Sequence, residues 1–85
     1  MHAPESQTTP ERLRSVLADV FDIPLEQVTP DLALGSIEAW DSYGHLQAVL
    51  AVEAEFGVQF RPDVIPNLRS VNHLQKELHA MGVTP

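Results

Sequence analysis

The sequence contains no cysteine, and only five of its 85 residues are lysine or arginine. Without cysteine the chain can form neither a disulfide framework nor a thiolate metal site. Twelve acidic residues bring the formal net charge to −7. This charge argues against nucleic acid as a partner, because proteins that bind nucleic acid need basic patches that neutralise phosphates. The missing residue types therefore disfavour a disulfide scaffold, a cysteine-ligated metal centre and a nucleic-acid-binding module.

The sequence also lacks a long apolar run. Its most apolar stretch, residues 46–52, is interrupted by Gln47 and followed by Glu53, so no segment is typical of a secretory leader or a membrane span. A chain of this length makes one small domain with a limited core, which leaves little room for a deep, water-excluded active site. We expect a cytoplasmic, monomeric protein with no membrane partner.

The negative charge is concentrated in the middle of the sequence. Between residues 19 and 63 there are nine acidic residues and one base, Arg61, which gives this segment a net charge of −8. An acidic surface keeps small proteins apart in solution, and it also steers basic partners towards one face. Composition alone leaves both interpretations open.

The first predicted helix begins near Thr9, which resembles an N-cap followed by a proline, Pro10, at the first helical position. Pro24 ends this helix. A long loop over residues 24–40 follows, and loops of this length in compact domains are often functional. Apolar residues at helical spacing predict that the helix packs on a core: Leu13, Val16, Leu17, Val20 and Phe21. Apolar residues of the loop are expected to hold it against the helices: Val28, Leu32, Leu34 and Ile37.

The second predicted helix runs from about residue 41 to residue 56 and ends at Gly57. Phe56 is expected to be its central core side chain, and a short turn of helix is predicted just before Pro66. Ser70 caps the last helix, which Gly82 ends. Its apolar face is predicted to consist of Val71, Leu74, Leu78 and Met81.

These elements predict an all-α bundle with three main helices, a short additional helix and a long loop between the first two. We place the domain at residues 9–82, with a flexible N-terminal tail over residues 1–8 and a C-terminal tail over residues 83–85.

The pair Asp41–Ser42 stands at the start of the second helix, within the stretch EAWDSYGHLQAVL. Such a pair is usually an N-cap, because both side chains accept hydrogen bonds from unpaired backbone N–H groups. One cap is sufficient, and Asp41 supplies it, so the Ser42 hydroxyl is left facing solvent. A helix N-terminus also favours an anion. A phosphodiester built on Ser42 would therefore lie in a favourable electrostatic field.

Two neighbours of this pair have alternative interpretations. Gly44 lies in the first turn, where glycine costs about 0.5–1 kcal/mol relative to alanine, which indicates a close approach to the backbone by a ligand or by a packed neighbour. Trp40 is either an anchor for a partner or a side chain that covers the bundle, and the second interpretation is favoured.

His45 lies three residues after Ser42, and with Asp41 the two would form the catalytic set of a small hydrolase. Neighbours on one helix face point outward together, and a small bundle offers no evident cleft. We therefore expect His45 to be a surface or rim residue. His73 and His79 are six residues apart and lack the spacing of a zinc-binding pair, so we predict no metal site. His2 is expected in the tail.

The segment WDSYGHLQAVLAVEAEFGVQF resembles the core of an acyl carrier protein of the freestanding bacterial kind. In that family a D-S-L-type motif begins the second helix, and the helix ends with a motif of the form E-x-E-F-G. The segment EAEFG at residues 53–57 resembles this second motif. FDIPLEQVTPDLAL and VIPNLRSVNHLQKEL also fit the family pattern, so the resemblance covers about residues 9–82. It implies a four-helix bundle with a short third helix.

The resemblance further implies that Ser42 receives a pantetheine 4'-phosphate arm from coenzyme A. A separate phosphopantetheinyl transferase would attach the arm with the help of magnesium, and Asp41 matches the acidic residue that presents the serine. Acyl or aminoacyl groups would be held as thioesters on the arm's terminal thiol, loaded by a ligase and used by a downstream synthase or transferase. The protein would not itself be an enzyme.

Two departures from the family pattern favour a specialised pathway over primary fatty-acid synthesis. Tyr43 stands where leucine is usual, and Gln47 and Ala54 occupy positions that are often acidic. An unmodified acidic adaptor and a Ser/His hydrolase are the alternatives. Partners are expected to dock on the row that descends from Ser42 and on its neighbour at position 43, with basic partner residues meeting the carboxylate: Tyr43, Leu46, Leu50 and Glu53.

Overall fold

The computed structural model describes residues 10–83. Helix α1 comprises Glu11–Phe21, α2 comprises Ser42–Phe56 and α3 comprises Val71–Ala80, with two short 3-10 turns at Leu25–Gln27 and Ile65–Asn67. Pairing of the β type within residues 10–83 is limited to isolated bridges. The prediction of an all-α fold is confirmed. The predicted cap at Thr9, the tail at residues 1–8 with His2, and residues 84–85 lie outside the described range.

The boundaries of α1 differ slightly from the prediction. Pro10 is not the first helical residue, because its backbone is extended at ψ 140, and it precedes the helix while its carbonyl accepts the Arg14 N–H at 3.0 Å. The helix ends at Asp22, which adopts a left-handed conformation at φ 56. The Ile23 N–H then bonds back to the Ala18 carbonyl at 3.1 Å, so α1 stops before Pro24 is reached.

The long loop is tied to the start of α3. Helix N-termini expose backbone N–H groups that need partners, and here the N–H groups of Val71 and Asn72 donate to the loop carbonyls of Leu32 and Pro30, both at 2.9 Å. The Ser70 hydroxyl accepts the His73 N–H at 3.1 Å, which confirms the predicted cap. The loop is thus part of the packed fold.

The core joins side chains from the three α-helices to side chains of the connecting segments. Trp40, at the end of the loop, is completely buried, and its ring centroid lies 4.8 Å from that of Phe21. The predicted apolar faces of α1 and α3 are confirmed, except at Met81. The largest fully buried side chains are Trp40, Leu13, Leu17, Leu74, Leu78, Val28, Val49, Val52 and Val71.

Two packing predictions and one prediction of an element boundary are wrong. Phe56 is only half-buried, because it lies at the end of α2 under the Arg12 guanidinium, which is 4.5 Å from its ring centre. Met81 follows the last turn of α3 and is exposed. The short turn expected before Pro66 instead contains it, since proline is tolerated where no helical N–H bond is required. The expected short third helix is therefore a single 3-10 turn.

Within residues 10–83 no helix is long and apolar enough to cross a membrane. The sequence predicts that Val83 belongs to the C-terminal tail. Its N–H bonds to the Leu78 carbonyl at 2.9 Å, and its side chain packs against the core.

Candidate functional site

Asp41 and Ser42 have different roles at the start of α2. Asp41 is the N-cap, with an extended backbone, and its carboxylate Oδ1 accepts the Gly44 N–H at 2.8 Å. Its carbonyl accepts the His45 N–H at 2.7 Å, which closes the first helical turn. Ser42 is the first helical residue, and its side chain is exposed. The prediction that Asp41 caps the helix and leaves the Ser42 hydroxyl exposed is confirmed.

Within the described part of the chain, the first backbone N–H groups of α2 are unpaired, whereas the equivalent groups of α3 form hydrogen bonds. Among residues 10–83, no protein acceptor takes the N–H groups of Ser42 and Tyr43, whereas the corresponding N–H groups of α3 bond to the long loop. Free N–H groups at a helix N-terminus, together with the helix dipole, favour an anion. The start of α2 can therefore receive a phosphate group joined to the neighbouring hydroxyl.

The glycine in the first turn is explained by packing. A Cβ added at Gly44 would lie 1.9 Å from the Ala39 carbonyl oxygen, which is far inside van der Waals contact. Of the two explanations that the sequence left open, close packing against the loop is therefore correct, and Gly44 is not evidence of a ligand. The lack of a side chain at Gly44 therefore lets the end of the loop approach the helix that carries Ser42 closely.

Gly44→Ala is expected to destabilise the protein by about 1–3 kcal/mol, because the loop backbone must move to admit the methyl group. Urea unfolding monitored by circular dichroism would measure the change. Helix propensity alone predicts the opposite sign, a gain of about 0.5–1 kcal/mol. Gln47→Ala on the exposed face of α2 is the control and should change stability by less than about 0.5 kcal/mol. A stabilised Gly44→Ala variant would contradict the packing explanation.

His45 is buried, which contradicts its predicted place at the surface. Only 9% of its surface is exposed. The Trp40 indole N–H donates to His45 Nδ1 at 3.1 Å, and His45 Nε2 lies 3.1 Å from the Ile65 carbonyl oxygen. Because the indole can only donate, Nδ1 must accept, and the proton on Nε2 is then donated to Ile65. Trp40 covers the interior, as the favoured interpretation predicted.

This arrangement removes the basis for a Ser/His hydrolase. A general base must reach the nucleophile's proton and be oriented by a third group. Both ring nitrogens of His45 are instead occupied by Trp40 and Ile65, and the ring points inward, while Ser42 faces solvent. Ser42 and His45 are close in the sequence, but one side chain is exposed and the other is buried, so they do not form a catalytic pair.

An exposed apolar row descends α2 from Ser42. Tyr43 is 71% exposed, Leu46 is 53% exposed and Leu50 is 56% exposed. Glu53, the predicted last member of the row, is half-buried, and its carboxylate Oε2 accepts the Phe60 N–H at 2.7 Å. Sequence reasoning missed this bond, which joins the end of α2 to the segment that follows it.

The acidic residues next to Ser42 have no basic neighbour of their own in the described contacts. Glu38 and Asp41 are exposed, while Arg12 pairs with Glu55 at 3.3 Å and Arg61 pairs with Asp63 at 2.6 Å. Two exposed carboxylates close to Ser42 in the sequence would favour a basic partner. Residues 10–83 contain no cluster of side chains suited to holding a metal ion.

None of the models of known protein families matches the chain. A protein of Saccharopolyspora erythraea named "Acyl carrier protein" is 30% identical over 66 residues, which is 78% of this chain and 70% of the relative.

Proposed function

Since this chain belongs to the acyl carrier protein family, we propose that Ser42 bears a pantetheine 4'-phosphate arm and that the protein carries acyl or aminoacyl intermediates in a specialised pathway. When attached, the arm supplies a terminal thiol on which such groups are held as thioesters. A carrier of this kind needs no catalytic residues of its own, which agrees with the engagement of His45 in structural hydrogen bonds.

The residues at the start of α2 fit the arm. The observation that carries the proposal is the exposed hydroxyl of Ser42 beside a cap that Asp41 already supplies. The phosphate would lie next to the free N–H groups of Ser42 and Tyr43. Asp41, also exposed, remains available to present the serine to the transferase.

The test is the incubation of the purified protein with coenzyme A, magnesium and phosphopantetheinyl transferases of broad specificity. Intact-protein mass spectrometry should show the addition of one phosphopantetheine group per chain. A protein that stays unmodified with several transferases would favour the adaptor interpretation. Ester hydrolysis by the unmodified protein, lost in His45→Asn but not in the matched surface variant His73→Asn, would instead favour the hydrolase.

We further propose that the transferase and the loading enzymes dock on the exposed row of Tyr43, Leu46 and Leu50. Apolar side chains exposed side by side at an otherwise polar surface are typical of contact sites, and the surrounding acids would attract basic partner residues. Glu53 keeps a place at the lower edge of this row. Its bond to the Phe60 N–H means that reversing its charge would also disturb the fold.

The double variant Leu46→Asp and Leu50→Asp is expected to lower kcat/KM for transfer of the arm to Ser42 by at least about tenfold, equivalent to about 1.4 kcal/mol. The reason is that two charged side chains replace apolar contacts with the partner, while the fully buried side chains of α2 are unchanged, so the protein should stay folded under the assay conditions. Transfer rates measured by mass spectrometry would give the ratio.

Met81→Asp is the matched control for the docking prediction, since Met81 is also an exposed apolar side chain but lies beyond α3. Its transfer rate should stay close to that of the wild type. Transfer should also slow as salt is added, because salt screens exposed charges. Equal losses from the α2 pair and from Met81, or transfer indifferent to salt, would contradict the docking proposal and leave the carrier proposal standing.

A further inference from the structure

The inner wall next to Ser42 is closed by side chains and contains a polar centre. Trp40 is fully buried, and His45, Ala48 and Val49 on the inner face of α2 are at most 9% exposed. The Ile65 carbonyl, in the second 3-10 turn, accepts a hydrogen bond from His45 on α2. We call the line of contact between His45 and Ile65 the seam. His45 lies three residues after Ser42 on α2, so this seam between α2 and the turn is close to the start of the helix.

Two hydrogen bonds in series hold the seam together. Trp40 Nε1 donates to His45 Nδ1, and His45 Nε2 donates to the Ile65 carbonyl, each over 3.1 Å. A hydrocarbon chain inserted between α2 and the turn would separate His45 from Ile65. It would leave an imidazole N–H and a carbonyl oxygen buried without partners, and an apolar chain cannot replace those bonds. Insertion of an apolar group into the seam is therefore more unfavourable than insertion of a group that can form hydrogen bonds.

Three open grooves of the described residues lie away from Ser42. Two open grooves share Val16, Asp19 and Glu55 along α1 and α2, and another lies between the second 3-10 turn and α3, and Ser42 lines none of them. A long hydrocarbon carried at Ser42 that entered neither the closed bundle nor these grooves would remain in water, at a cost that rises with its length.

We propose that the chain of hydrogen bonds from Trp40 through His45 to Ile65 prevents the cargo from entering the bundle. The cargo then lies outside the bundle and is a short or polar acyl group. This inference rests on the proposed function, because the arm at Ser42 is what brings a cargo to the seam. It assigns to His45 a role in excluding apolar chains, which is distinct from the attachment and docking roles of the residues on the outer face.

The experiment uses the full chain loaded at Ser42 with the arm bearing acetyl, hexanoyl or decanoyl groups, made by offering the transferase the matching acyl-coenzyme A. The readouts are the melting temperature and the NMR resonance of the Trp40 indole N–H. Both should be the same for the three chain lengths, because a cargo in water neither stabilises the folded state nor disturbs the seam. A melting temperature or an indole resonance that moves progressively with chain length would overturn the inference.

A second variant tests whether the hydrogen bonds are responsible. Trp40→Phe keeps an aromatic ring but removes the donor to His45 and leaves space beside it, so the decanoyl form of this variant should melt higher than its acetyl form. Phe56→Leu, which shortens a half-buried aromatic at the far end of α2, should behave as the wild type does. A Trp40→Phe protein indifferent to chain length would overturn the role given to the hydrogen bonds.

The failures of the two proposals can be told apart. A protein that accepts no arm at Ser42 overturns both the carrier function and this inference. A protein that accepts the arm and then shelters decanoyl better than acetyl overturns only the inference about its cargo.

Discussion

Ser42→Ala is expected to abolish the gain of a phosphopantetheine group completely. The Ser42 oxygen would form the new bond to phosphorus as the pyrophosphate bond of coenzyme A breaks and adenosine 3',5'-bisphosphate leaves, and alanine has no atom that could take the place of this oxygen. The fold should be retained, since the side chain is exposed and the N-cap is the neighbouring Asp41. Intact-protein mass spectrometry before and after incubation with coenzyme A, magnesium and transferase measures the effect, and circular dichroism checks the helices.

Ser15→Ala is the matched control for the Ser42 prediction. Ser15 is another exposed serine, but it lies inside α1, away from a helix N-terminus. This variant should gain the same mass as the wild type. If Ser42→Ala still gained the mass, the attachment point would lie elsewhere in the chain, and the assignment of the site would be wrong even though the protein was a carrier.

Trp40→Ala is expected to lower the free energy of unfolding by about 3–5 kcal/mol. The side chain is fully buried, packs 4.8 Å from the Phe21 ring and donates the bond that orients His45. The substitution therefore removes apolar contacts, leaves a cavity and strands a buried ring nitrogen. Domains of this class have total stabilities of about 5–15 kcal/mol, so most of the variant should be unfolded at moderate urea concentrations or on mild heating.

Phe56→Ala provides the comparison for Trp40→Ala. Phe56 is half-buried under the Arg12 guanidinium, so its loss should cost only about 1–2 kcal/mol in apolar contact and cation–π attraction. The two variants differ in burial more than in the kind of side chain removed. Equal destabilisation by both, measured by urea unfolding, would show that Trp40 is not the centre of the core.

Local signals in the sequence predicted most of the fold. The spacing of apolar residues is repeated within each helix, and caps such as Asp41 and Ser70 act on N–H groups only a few residues away. Such features depend on residues that are close in the sequence, so a single chain reveals them. The exposure of Ser42 follows from the same reasoning, since one capping side chain makes a second unnecessary.

The features that the sequence did not predict depend on distant residues. His45 looks like a surface residue because its side chain is polar, yet it is buried through bonds to Trp40, five positions away, and to Ile65, twenty positions away. Glu53 has an equivalent relation to Phe60 across the end of α2. These hydrogen bonds follow no repeating pattern in the sequence. Only the three-dimensional arrangement therefore shows that the side chains of His45 and Glu53 have hydrogen-bond partners within the fold.

A further local signal was ambiguous. Glycine in a helical turn indicates a close approach but does not identify what approaches, and only the position of the Ala39 carbonyl shows that the neighbour of Gly44 is the loop. The misplaced turn at Pro66 has the same origin, because proline is compatible both with the end of one element and with the first positions of another.

The burial of the single tryptophan of the chain makes the protein its own optical probe. An indole removed from water emits at shorter wavelength than one in solvent, and with one tryptophan, excited selectively, the signal needs no assignment. Because Trp40 lies immediately before the Asp41–Ser42 pair, its emission reports on the part of the molecule where the arm would be attached. Fluorescence titrations with unlabelled transferase or loading enzymes could therefore follow the opening or closing of this region without any dye.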